Sequence, residues 1–307
     1  MKVVISAPYM LRERHKVEPL LSGIPLEIVW ADVQERLEEP ELIHYLSGAH
    51  GIICGDDRFS ETVYRQSKDL KVVVKWGTGI DSILKEEAEK YQVKVYRTPN
   101  AFTDPVADTA LAYALAYCRN VVVNDGILKN GGWHKPQGYA LSELTVGIIG
   151  LGAIGSAFAK RLQACGARVL AYDIVPKDQE YATMVDLPSL LRQSNIISMH
   201  CDLNTTSRHL LNSATFAQMH CCPFVINTGR GPLINESDLI TALQTKQISG
   251  AGLDVFEHEP LALNSPLRSM NNVFLAAHNS NSSLVCWDRV HINSVNMLLE
   301  GLGIGRQ

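Results

Sequence analysis

Short apolar runs, separated by polar stretches, recur along the N-terminal third of the chain. They are rich in Val and Ile and are bounded by Pro, Gly or Asp, and they cover residues 2–6, 26–30, 51–54, 70–76 and 93–97. The stretches 40–47 and 60–67 between them are predicted to be helical. Because strands that alternate with helices form parallel sheets covered by helices, the pattern predicts a first α/β unit.

A second series of apolar runs follows and extends almost to the C-terminus. We predict buried strands at residues 145–150, 167–174, 195–200, 223–229, 249–256 and 272–278. Near-continuous apolar strands are typical of a parallel sheet with helices on both faces. Between the two series, the Ala-, Leu- and Tyr-rich stretch from Val106 to Lys129 predicts one long, largely buried helix, and residues 283–302 predict a closing helix. The predicted fold class is therefore α/β, with two doubly wound parallel-sheet domains.

Composition and charge narrow the class of protein. The 307 residues are 46% hydrophobic and 20% charged, with a formal net charge of -4, so we expect a globular protein without a nucleic-acid partner. No apolar run reaches the roughly 18 residues that span a bilayer, and residues 1–10 do not resemble a signal sequence, so no membrane contact is expected. The seven cysteines lack a CxxC spacing, which predicts reduced thiols, no metal site and a cytoplasmic location.

The sequence GLGAIG lies between a predicted strand and a predicted helix. Gly150 permits a tight turn, Gly152 lets the backbone approach a pyrophosphate, and Gly155 lets the helix pack on the strand. The helix start, with Ala153 and Ile154, supplies N–H groups and a partial positive charge. This turn is predicted to bind a dinucleotide.

Asp173 ends the next predicted strand, where a carboxylate can accept hydrogen bonds from both ribose hydroxyls. The same carboxylate would repel the 2′-phosphate of NADP. A methyltransferase has a similar glycine turn and acid. These two features therefore indicate a cofactor that contains adenosine, and they do not by themselves distinguish NAD from S-adenosylmethionine.

Three consecutive predicted strands each end in charged residues. Arg230 follows the first, Asp254, Glu257 and Glu259 follow the second, and His278 ends the third. Ligands bind at the carboxyl ends of strands in open α/β sheets, where an arginine can hold a carboxylate with two parallel hydrogen bonds. An acid–histidine pair at the same edge predicts proton transfer.

Three stretches of the sequence resemble the D-isomer-specific 2-hydroxyacid dehydrogenases, on the branch similar to phosphoglycerate dehydrogenase. They read KWGTGIDSI, GGWHKPQGYALSELTVGIIGLGAIG and NTGRGPLINESDLITALQTKQISGAGLDVFEHEP. The resemblance implies a Rossmann-type NAD-binding domain, residues 99–280, inserted in a flavodoxin-like substrate domain that comprises residues 1–98 and 281–307. It also implies an active site in the cleft between the two domains.

The resemblance assigns catalysis to Arg230, Glu259 and His278. It implies that His278 is the acid–base group, that Glu259 holds its ring, and that Arg230 binds the substrate carboxylate or polarises the 2-oxo group. The expected reaction is hydride transfer between a nicotinamide and a D-2-hydroxy acid, with NAD as cofactor.

Further residues take binding roles by the same resemblance. The N–H groups from Gly77 to Gly79 are expected to bind the substrate carboxylate. Thr228 and Asp254 match positions that contact the nicotinamide half of the cofactor, and Thr78 is expected to reach the cofactor too. A homodimer through the cofactor domain is implied, for which the apolar helix from residue 110 to 123 is suitable.

The chain departs from the family at CGDDRFSE, where phosphoglycerate dehydrogenases carry an arginine for the substrate's phosphate. Asp56 and Asp57 would repel a phosphate, which argues against 3-phosphoglycerate, unless both side chains point to solvent. Two alternatives to a dehydrogenase stay open, an NAD(H)-sensing regulatory protein on the same fold and a methyltransferase.

Overall fold

The computed structural model describes residues 1–175 and 179–305 of the chain. They form two compact α/β units. Unit 1 comprises Met1–Phe102 and Ser282–Gln307, and unit 2 comprises Thr103–Asn281. Residues 306 and 307, which the sequence assigned to the substrate domain, lie outside the described residues.

The described residues contain twelve strands, all in parallel pairs. In chain order they are β1 (Lys2–Ile5), β2 (Glu27–Trp30), β3 (Gly51–Cys54), β4 (Val72–Lys75), β5 (Lys94–Arg97), β6 (Thr145–Ile149), β7 (Arg168–Tyr172), β8 (Thr183–Met184), β9 (Ile196–Met199), β10 (Phe224–Asn227), β11 (Gly250–Leu253) and β12 (Val273–Leu275). All eleven predicted strands are confirmed, and only the two-residue β8 had no counterpart in the apolar pattern.

Twelve α-helices connect or follow the strands in the described part of the chain. They are α1 (Pro8–Arg12), α2 (Arg14–Leu21), α3 (Glu39–Leu46), α4 (Glu61–Gln66), α5 (Lys85–Lys90), α6 (Thr103–Cys118), α7 (Val121–Lys129), α8 (Ala153–Ala164), α9 (Leu187–Gln193), α10 (Ser213–Phe216), α11 (Glu236–Gln244) and α12 (Leu284–Gly301). Short 3-10 helices lie at Leu141–Glu143, Gly231–Leu233 and Pro266–Ser269.

Unit 1 contains a five-stranded sheet in the order β2-β1-β3-β4-β5. This is the order of flavodoxin-like folds, in which the chain reverses direction across the sheet between β1 and β3. The strands β3 and β4 are buried throughout. One reason that α12 packs closely on them is glycine: a Cβ at Gly51 would lie 2.7 Å from the Leu298 side chain, and one at Gly301 would lie 2.7 Å from Val72.

Unit 2 contains a seven-stranded sheet in the order β12-β11-β10-β9-β6-β7-β8. Counted from β6, the order is that of the Rossmann fold with a seventh strand added beyond the sixth. The buried strands β6, β9 and β10 have apolar clusters on both faces, as a parallel sheet between two helical layers requires. The predicted fold class, two doubly wound parallel sheets, is confirmed.

The prediction of one long helix from Val106 to Lys129 is wrong. The helix α6 ends at Cys118, and Asn120 adopts a left-handed conformation (φ 50°) that separates it from α7. Asparagine adopts this conformation more readily than most residues, which explains a break that apolar composition does not reveal. The burial prediction fails for α7 too, because none of its residues is buried.

None of the helices in the described residues is both long enough and apolar enough to span a membrane.

Candidate active site

The glycine turn joins β6 to α8 in unit 2. Gly150 has a φ of +94°, and its Cα faces the backbone of Cys201 so closely that a Cβ would overlap it. A Cβ at Gly155 would overlap the carbonyl group of Gly150, so this glycine lets the helix approach the turn. In contrast, a Cβ at Gly152 would have no atom within 4 Å. Two glycines are therefore explained by packing, whereas Gly152 borders open space.

The start of α8 has the features of an anion site. Gly152 precedes the helix, and no side chain of the described residues caps its N-terminus. Gly152 and Ala153 are exposed, and Ile154 is half-buried. An uncapped helix start carries N–H groups and a partial positive charge, which suit a pyrophosphate. The turn therefore fits a dinucleotide cofactor.

Asp173 lies beside this turn, directly after β7. One carboxylate oxygen accepts a hydrogen bond from the N–H group of Leu151 (2.7 Å), and the other accepts one from the N–H group of Val175 (2.9 Å). These bonds fix the carboxylate against the glycine turn.

His200 follows β9 and was not singled out from the sequence. Its N–H group donates to Ile149 O (2.7 Å), so it lies next to the end of β6, and its Nε2 atom is 2.8 Å from Ser198 Oγ. Desolvation of the ring lowers the pKa of His200 to about 3, which keeps it neutral. The only sequence signal is its place at the end of a predicted strand.

Arg230 lies in the turn after β10, and Asn227 shapes that turn. The Asn227 side chain accepts a hydrogen bond from the N–H group of Gly229 (3.0 Å) and donates one to Arg230 O (2.9 Å). Arg230 is half-buried, and its guanidinium donates to Gly229 O (3.1 Å). Asn227 was missed as a site residue, although asparagine before Thr-Gly is a recognisable turn signal.

Gly231 and Thr228 flank the Arg230 turn at the carboxyl edge of the sheet in unit 2. A Cβ at Gly231 would overlap the carbonyl group of Phe256, so the Arg230 turn packs directly against the backbone that follows β11. Thr228 is buried, and its hydroxyl has no hydrogen-bond partner among the described residues. A buried, unsatisfied hydroxyl at the end of a strand fits a contact with a bound ligand.

His278 and Glu259 form the acid–histidine pair of the edge. The His278 Nδ1 atom lies 2.9 Å from Glu259 Oε2, and the other carboxylate oxygen accepts a hydrogen bond from the N–H group of Phe256 (2.9 Å). Their side chains are 19% and 20% exposed. The pair is therefore held in place and still reaches solvent.

The backbone of His278 has a φ of 48°, which is uncommon for a residue other than glycine. Asp254 stabilises this conformation. Its carbonyl accepts from His278 N–H (2.7 Å), and its fully buried carboxylate accepts from the N–H groups of Asn279 (2.7 Å) and Ser280 (2.9 Å). Because these hydrogen bonds fix the segment, the strained backbone is maintained. Any contact of Asp254 with the cofactor stays a prediction.

Glu257 contacts His209 Nε2 and not the proposed catalytic groups. Glu257 and Glu236 each accept a hydrogen bond from the other's backbone N–H group, at 3.1 and 3.2 Å. Burial, with the charge of Glu257 nearby, raises the pKa of Glu236. This cluster anchors the segment that also carries Glu259.

The predicted carboxylate anchor, Gly77 to Gly79, and the predicted cofactor residue Thr78 lie in unit 1, whereas the other predicted site residues lie in unit 2. Gly77 follows β4 with a φ of +124°, and its carbonyl accepts from Thr98 N–H (3.0 Å). Thr78 donates from its hydroxyl to Thr98 O (3.1 Å), and Thr78 O accepts from Arg97 (3.1 Å). The turn from Gly77 to Gly79 is thus fixed to Arg97 and Thr98 at the end of β5.

Asp57 does not point to solvent, so the alternative in which both aspartates face solvent is excluded. It is fully buried and accepts hydrogen bonds from Ser6 Oγ and Leu37 N–H, both at 2.6 Å. Burial raises its pKa. Asp56 is half-buried and forms an ion pair with Lys75 (2.7 Å). With one carboxylate buried and the other paired, the repulsion expected against a phosphate is weaker than the sequence suggested.

Comparison with known proteins identifies the family of this chain. Residues 111–280 match the family described as D-isomer specific 2-hydroxyacid dehydrogenase, NAD binding domain. The human glyoxylate reductase/hydroxypyruvate reductase is 34% identical over 288 residues, which cover 90% of this chain and 88% of that protein. The Thermotoga maritima hydroxypyruvate reductase is 33% identical over 298 residues, which cover 95% of this chain and 96% of that protein.

A solved structure has a similar fold. The crystal structure of the TT0316 protein from Thermus thermophilus superposes with a TM-score of 0.86 at 31% identity, covering 99% of this chain and 97% of that one. The resemblance seen in the sequence is confirmed, and so is NAD as cofactor. The chain therefore belongs to the D-isomer specific 2-hydroxyacid dehydrogenase family, whose reaction is NAD-dependent hydride transfer between a 2-hydroxy acid and a 2-oxo acid.

Proposed function

We propose that this protein reduces small 2-oxo acids with NADH and that His278, Glu259 and Arg230 carry the reaction. The observation that supports this most strongly is the 2.9 Å contact between His278 Nδ1 and Glu259 Oε2. Glyoxylate and hydroxypyruvate are the proposed substrates, because relatives from human and Thermotoga maritima are named as reductases of these acids.

The histidine–carboxylate pair determines how a proton would move. Glu259 occupies the Nδ1 side of the ring, so Nδ1 carries a hydrogen and Nε2 is the atom that exchanges a proton with the substrate oxygen. The carboxylate stabilises the imidazolium that donates this proton. A bound NADH would supply the hydride for the 2-oxo carbon, and His278 would supply the proton that completes the hydroxyl group.

Substrate binding is assigned to cationic and N–H groups. We propose that the Arg230 guanidinium binds the carboxylate or polarises the 2-oxo oxygen, because its planar fork matches a carboxylate. The N–H groups of Gly77 and Gly79 are proposed as a second anchor for the carboxylate.

The cofactor residues are proposed on the open glycine turn and its neighbours. The turn that contains Gly150, Gly152, Ala153, Ile154 and Gly155 would hold the pyrophosphate. Further contacts are proposed for Asp173 with the adenosine ribose, for Thr228 and Asp254 with the nicotinamide half, and for Thr78. Since an anionic carboxylate at the ribose repels a 2′-phosphate, NADH should be used in preference to NADPH.

The experiment is a panel of 2-oxo acids, with glyoxylate and hydroxypyruvate among them, assayed for loss of NADH absorbance. Rapid reduction of a small 2-oxo acid supports the proposal, and the same assay with NADPH measures cofactor preference. NADH binding without turnover on any acid would instead favour the NAD(H)-sensing alternative. Binding of S-adenosylmethionine but not of NADH would favour the methyltransferase.

We also propose a cytoplasmic homodimer. The segment from residue 121 to 139 presents a set of exposed apolar side chains: Val121, Val122, Val123, Leu128, Trp133 and Tyr139. Exposed apolar patches of this kind mark contact surfaces between chains. All seven cysteines are free thiols, which fits a reducing compartment. Light scattering, which gives the molar mass in solution, tests whether the protein is a dimer. The wild type should have the mass of a dimer, and Val122→Asp should dissociate more readily into monomers.

A further inference from the structure

Trp76 is the residue that leads from β4 into the Gly77–Gly79 turn. Its N–H group donates to Cys54 O (2.9 Å), so its backbone continues the pairing of β4 with β3. Trp76 is 2% exposed. The position of this buried residue therefore determines where the turn begins.

The Trp76 side chain makes one hydrogen bond, to a histidine 215 positions later in the chain. The indole Nε1 lies 3.0 Å from His291 Nδ1. An indole N–H group can only donate, so His291 Nδ1 must be the acceptor and carries no hydrogen. The hydrogen is then on Nε2, which donates to Glu13 Oε2 at 3.0 Å. Both ring nitrogens of His291 are thus satisfied in one neutral tautomer.

Aromatic packing surrounds the indole on its other sides. Tyr9 stacks on Trp76 with the ring centroids 4.3 Å apart and an interplanar angle of 17°. Trp287 contacts the indole edge-on at 6.1 Å, and Phe102 packs at 5.4 Å. Packing of this kind confines the ring, and the bond to His291 fixes its orientation because hydrogen bonds are directional.

His291 is 1% exposed on α12, and few charged groups face it. Glu13 and Lys16 reach it from the α1–α2 region, and Asp288 reaches it from its own helix. Burial lowers the pKa of His291 despite the two carboxylates. A second proton on this ring would also place an N–H group against the N–H group of Trp76.

We propose that His291 is a positioning residue for substrate binding: by accepting the hydrogen bond of Trp76 in its neutral form, it fixes the turn from Gly77 to Gly79. This inference rests on the proposed function, in which that turn binds the substrate carboxylate. The neutral ring maintains the turn, and protonation of the ring weakens it.

The variants His291→Leu and His291→Asn test the inference. Leucine removes the acceptor, so the KM for glyoxylate or hydroxypyruvate should rise about tenfold, the effect of one lost hydrogen bond, while kcat and the Kd for NADH change less than about twofold. Asparagine has an oxygen near the place of Nδ1, so His291→Asn should restore most of the affinity. An increase in KM without this rescue, or a fall in kcat alone, would overturn the proposal.

Trp76→Phe tests the other partner of the hydrogen bond, because it removes the indole N–H donor and keeps an aromatic ring. It should raise KM to the same extent as His291→Leu, and the double variant should show no further increase. Additive effects would mean that the two residues act independently. The matched control is His15→Leu, which changes an exposed histidine of the same unit and should leave KM unchanged.

The pH dependence of KM distinguishes a positioning role of His291 from a general loss of structure. As the pH falls below 6.5 toward the lowered pKa of His291, the wild type should show a rise in KM that His291→Asn lacks, since asparagine does not titrate. Thermal unfolding of each variant establishes that the assays are made on folded protein. A wild type that reduces no 2-oxo acid refutes the proposed function, whereas active variants with an unchanged KM refute the role of His291 alone.

Discussion

Polar residues lie at the carboxyl ends of the strands in both units, but their exposure differs between the two sheets. In unit 2, Gly152 is exposed, and the side chains of His278 and Glu259 keep about a fifth of their surface accessible. In unit 1, Asp57 and Lys75 are buried, and each is bonded to neighbouring groups. The carboxyl ends of the strands therefore form an accessible edge in unit 2 and a closed edge in unit 1.

The difference teaches which edge exchanges protons and which one maintains a shape. A histidine that contacts a carboxylate and still reaches solvent can gain and lose protons during turnover. A buried histidine such as His291, bonded at both nitrogens and with a lowered pKa, is held in its neutral form and fixes its neighbours. Variants in the accessible edge of unit 2 should change catalysis and the binding of cofactor or substrate directly. Variants at Trp76 and His291 in unit 1 should change substrate affinity and stability without changing the chemical step.

The largest effect is expected for His278→Ala. Loss of the proton donor should lower kcat about a thousandfold, while the Kd for NADH stays near its wild-type value. Steady-state kinetics and NADH fluorescence titration measure the two quantities. His220→Ala, at an exposed histidine of the same unit, is the control. A variant that retains more than about a tenth of the wild-type kcat would exclude His278 as the acid–base group.

A smaller loss is expected for Arg230→Lys. The change keeps the charge but removes the planar fork, so KM for 2-oxo acids should rise and kcat should fall, with kcat/KM lower by about a hundredfold. The exposed Arg208→Lys serves as the matched control in the same kinetic assay. Unchanged kinetics for Arg230→Lys would remove this residue from the accessible edge.

Gly152→Ala tests whether the open space at the turn belongs to the cofactor. No atom lies within 4 Å of the added methyl group, so the melting temperature should not change. The methyl group would nevertheless occupy the space next to the pyrophosphate, and the Kd for NADH should rise about tenfold. Gly305→Ala, at a second glycine with no neighbouring atom, is the control. Normal NADH binding by Gly152→Ala would contradict the assignment.

The smallest effect concerns the contribution of His291, on α12 of unit 1, to the stability of the fold. Folding lowers the pKa of His291 below its ordinary value of 6.5, so the unfolded chain takes up this proton first as the pH falls. The stabilisation is therefore complete above pH 6.5 and is lost as the pH falls toward the lower value of the folded state. Urea unfolding should show that the wild type loses on the order of 1 kcal/mol relative to His291→Asn between about pH 7.5 and about pH 5.5. Parallel curves would contradict a neutral, buried His291.

Local sequence patterns predicted the features that depend on neighbouring residues. The apolar runs gave the strands, and the spacing of the glycines gave the turn before α8. The contact between His278 and Glu259 agrees with their placement after adjacent strands, because parallel strands end at one edge.

Features that depend on distant residues or on a single dihedral angle were not predictable. The bond between Trp76 and His291 joins residues 215 positions apart, and nothing near either residue indicates it. The burial of Asp57 depends on Ser6 and Leu37, which lie in other segments. The break at Asn120 follows from one left-handed residue in an otherwise helical pattern.

The configuration of the product tests the central claim most directly. Hydroxypyruvate and NADH are incubated with the protein, and the glycerate formed is resolved on a chiral column. Because the chain belongs to the D-isomer specific 2-hydroxyacid dehydrogenase family, the product should be D-glycerate, formed in equal amount to the NADH consumed. Formation of L-glycerate, or oxidation of NADH without glycerate, would contradict the account.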